Sequence, residues 1–197
     1  MTAREGMTNL ISHLRGLTHA GTADMTLGAV TYWSDDQLQA RLDQTRRTFH
    51  FEQLESLPVH NGGAYEVYDY QIPARMGRHF EQAGVDSGWA VKDSTGATIG
   101  TALYTFNAEA RIISFGTVNQ HGSVYYLDAR GYDMNRAAAG VWREKAGYYA
   151  SQVDFKSDNH DVKASQRWQH AVQMTEYFEG QAGAYVGRMV RMDEVGT

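Results

Sequence analysis

The spacing of hydrophobic positions changes period twice along the chain. Met7, Leu10, Ile11, Leu14 and Leu17 recur three and four residues apart, which is one face of a helix, with Gly16 and Thr18 where it frays. Residues 18–31 are rich in Gly, Thr and Ala with a single acid and read as a loop. A second helix starts sharply. Ser34 is a good N-cap, Gln37 stands three residues on as in a capping box, and Asp35 and Asp36 face the positive end of the dipole. Trp33 is placed to staple against Leu38, with Leu42 one turn further. This helix is expected to end near Arg47, which gathers Arg41, Arg46 and Arg47 on it as a solvated face or as a partner for an acidic neighbour.

From Thr48 the period becomes two. Phe49 and Phe51 alternate with His50 and Glu52, and Tyr65, Val67 and Asp69 alternate with Glu66, Tyr68 and Tyr70. Asn61-Gly-Gly63 is a hairpin-type turn, and Ser94-Thr-Gly96 is a turn between residues 89–93 and 97–99. Residues 111–117 and 123–128 add apolar runs with β-branched and aromatic content. Five or six short strands fit between Phe49 and Ala129, interrupted by a loop over residues 73–85. Helix then returns. Asp133 can cap a segment running to about Gln152, with Met134, Ala138, Val141, Trp142, Ala146 and Tyr149 on one broad stripe. After an extended pair and a polar turn, a last helix carries Ala164, Trp168, Ala171, Val172, Thr175 and Phe178 on one face, and Gly180 and Gly183 should end it. The tail, residues 184–197, alternates apolar and basic positions and has no pairing partner evident in the sequence.

Composition narrows what such a chain can be. Its 197 residues are enough for one self-supporting core or a core with an embedded subdomain. Aromatics at 12% exclude a solvated, disordered chain. The absence of cysteine removes disulfides, thiol catalysis and cysteine-ligated metals. Eighteen basic against 23 acidic residues give a net charge of −5, which argues against gripping free duplex DNA. No apolar run approaches a membrane span, and residues 1–16 lack the continuous apolar stretch of a secretory signal.

Candidate chemistry is sparse. The eight histidines have no compact metal spacing, and nucleotide-binding glycine motifs and the nucleophile elbow are missing. The cluster Asp158-Asn-His160-Asp161 could ligate a hard cation, but its Asx residues suit an ordinary turn, and the missing glycine and distal glutamate of a calcium loop favour the turn. Asp35/Asp36 and Asp193/Glu194 are adjacent carboxylates that point apart, unsuited to paired acid–base work. Tyr65, Tyr68, Tyr70, Tyr104, Phe106, Tyr125 and Tyr126 could form a glycan-stacking face or pack across strands. No catalytic residue, cofactor or metal is assigned.

One ordered set of motifs stands out: Gly131-Tyr-Asp-Met-Asn-Arg-Ala-Ala-Ala-Gly-Val-Trp142, Val153-Asp-Phe-Lys-Ser-Asp158, Lys163-Ala-Ser-Gln-Arg167 and Met174-Thr-Glu-Tyr-Phe-Glu179. Together with Tyr32-Trp-Ser-Asp-Asp-Gln-Leu-Gln39, this order resembles the head-to-tail connector (adaptor, head-completion) proteins of tailed bacteriophages. The resemblance covers about residues 7–47 and 131–183, and the Asp154-Phe155 turn is its strongest element. It implies an α+β fold: a small helical bundle of about four helices with an inserted antiparallel β subdomain. The helical core would take residues 1–48 and 131–183, the insertion 49–130, and a C-terminal arm 184–197. It also implies a structural virion protein at the portal vertex, assembled in the host cytoplasm and not an enzyme. Such a protein forms a twelve-subunit ring that joins the portal protein to tail or stopper proteins. Genomic DNA passes through without sequence-specific binding, and no membrane is involved. Trp33, Leu38, Leu42, Trp142, Phe155, Trp168 and Phe178 would be structural anchors. Tyr185, Val186, Met189, Val190, Arg191 and Met192 would form a portal-docking arm. The other reading is a binding module whose β subdomain contacts a glycan or another virion protein through exposed Tyr68, Tyr70, Tyr125 and Tyr126.

Overall fold

In the computed structural model, residues 3–81, 88–119, 123–152, 155–157, 160–162 and 164–182 are described, with backbone alone at 117–119, 155–157 and 160–162. The chain is α+β, with four helices and antiparallel sheets among these residues. Helix α1, Thr8–Thr18, buries Leu10, Ile11 and Leu14 as its spacing predicts. Its carboxyl end would leave carbonyls without donors. Lys145, only 3% exposed, donates to the Thr18 and His19 carbonyls at 3.0 and 3.2 Å and pairs with Asp24 at 2.5 Å.

The expected loop over residues 18–31 contains a small hairpin instead. Strands β1, Met25–Leu27, and β2, Val30–Tyr32, pair antiparallel. Gly28 takes φ +62 at the first position of their two-residue turn, a conformation few other residues tolerate. Such three-residue strands are too short for an alternation to register in sequence.

Helix α2, Asp35–Asp43, opens on the predicted capping box. Ser34 Oγ accepts from the Gln37 N–H, and Gln37 Oε1 accepts from the Ser34 N–H. It ends earlier than expected, so Arg46 and Arg47 are strand residues and share no helix with Arg41. The Thr45 amide and hydroxyl both donate to the Leu42 carbonyl and close the helix. Strand β3, Arg46–Gln53, then pairs with β9, Tyr126–Tyr132, in the register Arg46 to Tyr132. Ladder bonds to a distant strand outweigh the local helical pattern of the arginines.

Between them lie β4, Glu55–Asn61; β5, Ala64–Gln71; β6, Ala90–Lys92; β7, Tyr104–Asn107; and β8, Ile112–Asn119. One sheet has the order β3-β9-β6, and a second the order β4-β5-β8-β7. Among the described residues seven strands thus stand where five or six were expected, and residues 97–99 contribute a single bridge, Thr98 to Lys92. The Asn61-Gly-Gly63 turn joins β4 to β5 as predicted. Pro58 sits on β4, an edge strand beside a register shift, where a missing N–H is tolerated. Gly131 on β9 admits close approach: a Cβ there would lie 3.1 Å from both the Met76 carbonyl and the Phe49 ring.

Helix α3, Met134–Ala150, is capped by Asp133, whose carboxylate accepts from the Arg136 N–H at 3.0 Å. The connection to α4, Ala164–Gln181, includes a short ribbon of β10, Phe155–Ser157, and β11, His160–Val162. Two hydrophobic clusters result. One gathers α1, α2, α3 and α4 around Leu14, Leu38, Leu42, Val141 and Trp142. The other gathers the strands around Ile72, Val91, Ile113 and Leu127.

Candidate functional site

Five of the seven expected anchors do what an anchor must. Trp33, Leu38, Leu42, Trp142 and Phe178 are all at most 5% exposed and belong to the helical cluster. Trp33 and Leu38 flank the α2 cap within that cluster, as a hydrophobic staple requires. Trp168 does not belong with them. Its side chain is 42% exposed, a correction to the core role that helical spacing predicts. The reason is geometric: residues 165–170 of α4 are all exposed, and burial on its inner face resumes at Ala171, Thr175 and Phe178. Trp142 occupies the core at that level, with the His170 ring edge-on at 5.4 Å. Phe155 lies on β10, its side chain outside the described residues. The arm residues Tyr185, Val186, Met189, Val190, Arg191 and Met192 also lie outside them, as do Asp154, Asp158 and Asn159. His160 and Asp161 fall on β11.

A polar network centred on Glu81 joins the two clusters, and sequence reasoning missed it. Glu81 is fully buried. Its Oε2 accepts from the Tyr132 hydroxyl at 2.7 Å, and its Oε1 from Arg4 Nε at 3.2 Å. Arg130 lies 3.5 Å away. Arg4 also grips Asp43 with two parallel bonds at 2.8 and 2.7 Å, the fork-to-fork geometry that favours arginine over lysine. Its backbone N–H donates to Gln39 Oε1. The N-terminal segment, α2, the end of β9 and Glu81 are therefore tied at one point. Asp43 and Glu81 hold the Arg4 guanidinium more firmly protonated, against the pull of burial. Burial, and then the Glu81 carboxylate, push the Tyr132 phenol upward. Nothing local signals this. Glu81 sits in a stretch that reads as loop, and Arg4 precedes the first hydrophobic period.

Beside this seam, an open cleft of about 220 Å³ lies at the amino end of α3. Arg47, Arg78, His79 and Asn135 line it together with Met76 and Met134. His79 is half-buried, with the exposed His13 ring of α1 at 5.2 Å. Burial, and then the neighbouring His13 and Arg78, lower the His79 pKa, with Asp133 opposing.

The aromatic face divides. Tyr70 is 1% exposed and edge-on to Phe115 and Tyr125 inside the sheet core, whereas Tyr68, Tyr125 and Tyr126 are half-buried. Cross-strand packing accounts for Tyr70 and Tyr104. Phe51, at a register shift of β3 with φ +52, stacks on Tyr126 at 3.9 Å and donates its N–H to Asp128 at 2.7 Å. Burial works against the Asp128 carboxylate, but Lys92 at 2.5 Å and the Phe51 amide hold it below its usual range. Among the described residues no three His, Asp or Glu side chains are grouped to hold a metal ion. No described helix is long and apolar enough to cross a membrane.

Comparison with protein-family models, with curated proteins and with solved structures finds no match to this chain.

Proposed function

We propose that this chain is a structural head-to-tail adaptor of a tailed bacteriophage, a subunit of a ring beneath the portal that continues the DNA channel into the tail. The layout we assign is a four-helix bundle carrying an inserted β subdomain. The observation that supports it is that residues 7–42 and 132–178, far apart in sequence, share one hydrophobic core, while residues 54–129 gather another. The insertion leaves and re-enters at neighbouring points, because Arg46 at the start of β3 pairs with Tyr132 at the end of β9. Adjacent ends let a subdomain be spliced into a bundle without displacing its helices. On this reading the insertion spans about residues 46–132, slightly wider than the sequence pattern implies.

A ring subunit needs two different faces, because each copy packs head-to-tail on the next and the rotation must close. Two exposed apolar features are available: Leu27 and Val30 on the β1–β2 hairpin, at 54% and 47% exposure, and Trp168 on α4. We assign these to subunit contacts, and the Tyr185 to Met192 segment to the portal. A net charge of −5 per chain suits a conduit that DNA slides through, since like charge repels the phosphates. Quantitative mass spectrometry of purified particles tests the proposal. The chain is expected at the copy number of the portal protein, and an abundance like that of the major shell protein, or a single copy, would overturn it.

A further inference from the structure

The histidines have no metal-binding spacing in the sequence, yet the fold brings two of them together from opposite cores. His13 sits on α1 between Ile11 and Leu14 of the helical core, and His79 stands between Met76 and Phe80 of the sheet core. Their ring centroids are 5.2 Å apart. His13 is exposed, and half-buried His79 lines the open cleft at the amino end of α3, so solvent reaches the pair. The backbone on both sides is held. The His79 carbonyl accepts from the Tyr132 N–H at 2.8 Å, and Phe80 bridges to Gly131 on β9, while α1 is fixed by its buried face. Among the described residues neither imidazole has a hydrogen-bond partner, and the other ring is the contact each one makes.

That spacing suits a shared ion. An imidazole nitrogen binds zinc at about 2.0–2.1 Å, which puts the ion about 3.2 Å from the ring centre, and a tetrahedral angle of about 109° then sets two ring centres about 5.2 Å apart. The surroundings select the kind of ion. Arg78 adjoins His79, and the Asp133 carboxylate that opposes it is engaged as the α3 cap. Hard cations such as magnesium and calcium need oxygen ligands and negative charge, whereas imidazole suits zinc, copper and nickel. With no third His, Asp or Glu grouped here among the described residues, water fills the remaining positions.

We propose that His13 and His79 together bind one divalent transition-metal ion of the zinc class, with water completing its coordination. The ion clamps α1 to the segment that carries His79, and so ties the helical core to the sheet core at a second point beside the Glu81 network. Coupling between the cores then depends on metal as well as on buried charge. This site needs no ring and no portal, so it stands or falls apart from the adaptor reading.

Calorimetric titration of zinc chloride into the untagged full-length chain at neutral pH tests the site. One ion per chain is expected, with magnesium chloride failing to compete. His13→Gln and His79→Gln should each weaken binding by at least about tenfold, as loss of one of two ligands must, and His160→Gln should not. The ring nitrogen NMR signals of His13 and His79 are expected to shift together as zinc is added. Zinc should also raise the urea midpoint of the wild-type chain, because an ion that binds only the folded state stabilises it, and should not raise it in either variant. Since His13 is exposed, His13→Gln removes a ligand without opening a core. Absence of saturable binding overturns the proposal, as does binding that survives in the double variant His13→Gln/His79→Gln. Binding lost in His160→Gln would place the ion at residues 158–161, and one ion per two chains would place it between copies; either result overturns the proposal too.

Discussion

The helical core and the sheet core solve the same burial problem in opposite ways. Each helix satisfies its own backbone, so the helical core is built from two stretches of chain with some ninety residues between them, and α1, α2 and α3 each need only one apolar face. The sheet core is drawn from one continuous stretch, yet its order is nonlocal: β9 lies between β3 and β6, and β8 separates β5 from β7. Its register also slips, between Phe49 and Glu52, Leu57 and Pro58, and Val67 and Asp69. A helical core can therefore be interrupted at little cost, whereas a sheet must be contiguous enough for every strand to find its neighbour. The Glu81 seam is where the two meet.

The largest effects should come from opening a cavity in one core at a time. Leu38→Ala and Leu127→Ala each remove a fully buried side chain, and each is expected to destabilise by about 2–5 kcal/mol in urea unfolding. The tryptophans make the comparison visible, because Trp33 and Trp142 report on the helical core and Trp89 on the sheet core. If the cores are joined as tightly as the seam implies, either cavity moves both reports together; separate shifts would mean two independent units.

Glu81→Gln attacks the seam directly. It leaves Arg4 and Arg130 without their shared carboxylate, and both arginines keep some access to water, so the expected loss is about 2–4 kcal/mol, toward the low end for a broken buried pair. The sharper readout is cooperativity: the variant should unfold in two steps, core by core. A single unchanged transition would show that apolar contact, and not this network, couples the halves.

The smallest effect belongs to His79, which faces His13 on α1 with Arg78 and Asp133 nearby. Its pKa is lowered from the ordinary 6.5 in the folded protein. Below that value the unfolded chain takes up the proton while the folded one does not, so stability falls as pH drops through 6.5 toward the lowered value and then levels off. His79→Gln is expected to flatten that dependence by no more than about 1 kcal/mol, measured as the midpoint of urea unfolding between pH 7.5 and 5.5. An unchanged slope would place the titrating group elsewhere.

How much of this was legible varies by element. The α1 face, the Ser34 capping box and the Asp133 cap are local, and the pattern read them correctly. The Gly28 hairpin was missed because three-residue strands carry no measurable period. The end of α2 was misplaced because Arg46 and Arg47 are sound helix residues until β9 offers them a ladder. Trp168 kept perfect helical spacing and still ended exposed, since spacing places residues on a face and says nothing about whether that face is covered along its whole length.

Of the candidate site, the sequence supplied the anchors Trp33, Leu38, Leu42, Trp142 and Phe178, because burial of a helix stripe follows from spacing alone. It could not supply Arg4, Asp43, Glu81 and Tyr132, whose meeting depends on four separate segments converging. By itself the sequence determined where helices begin, that the middle of the chain is β, and that the whole carries a net charge of −5. The tertiary structure alone decided which strands adjoin, which aromatic rings reach water, and that Arg47, Arg78, His79 and Asn135 line one cleft at the amino end of α3. Period and capping are properties of neighbours in the chain, but strand order and charge clusters are properties of neighbours in space.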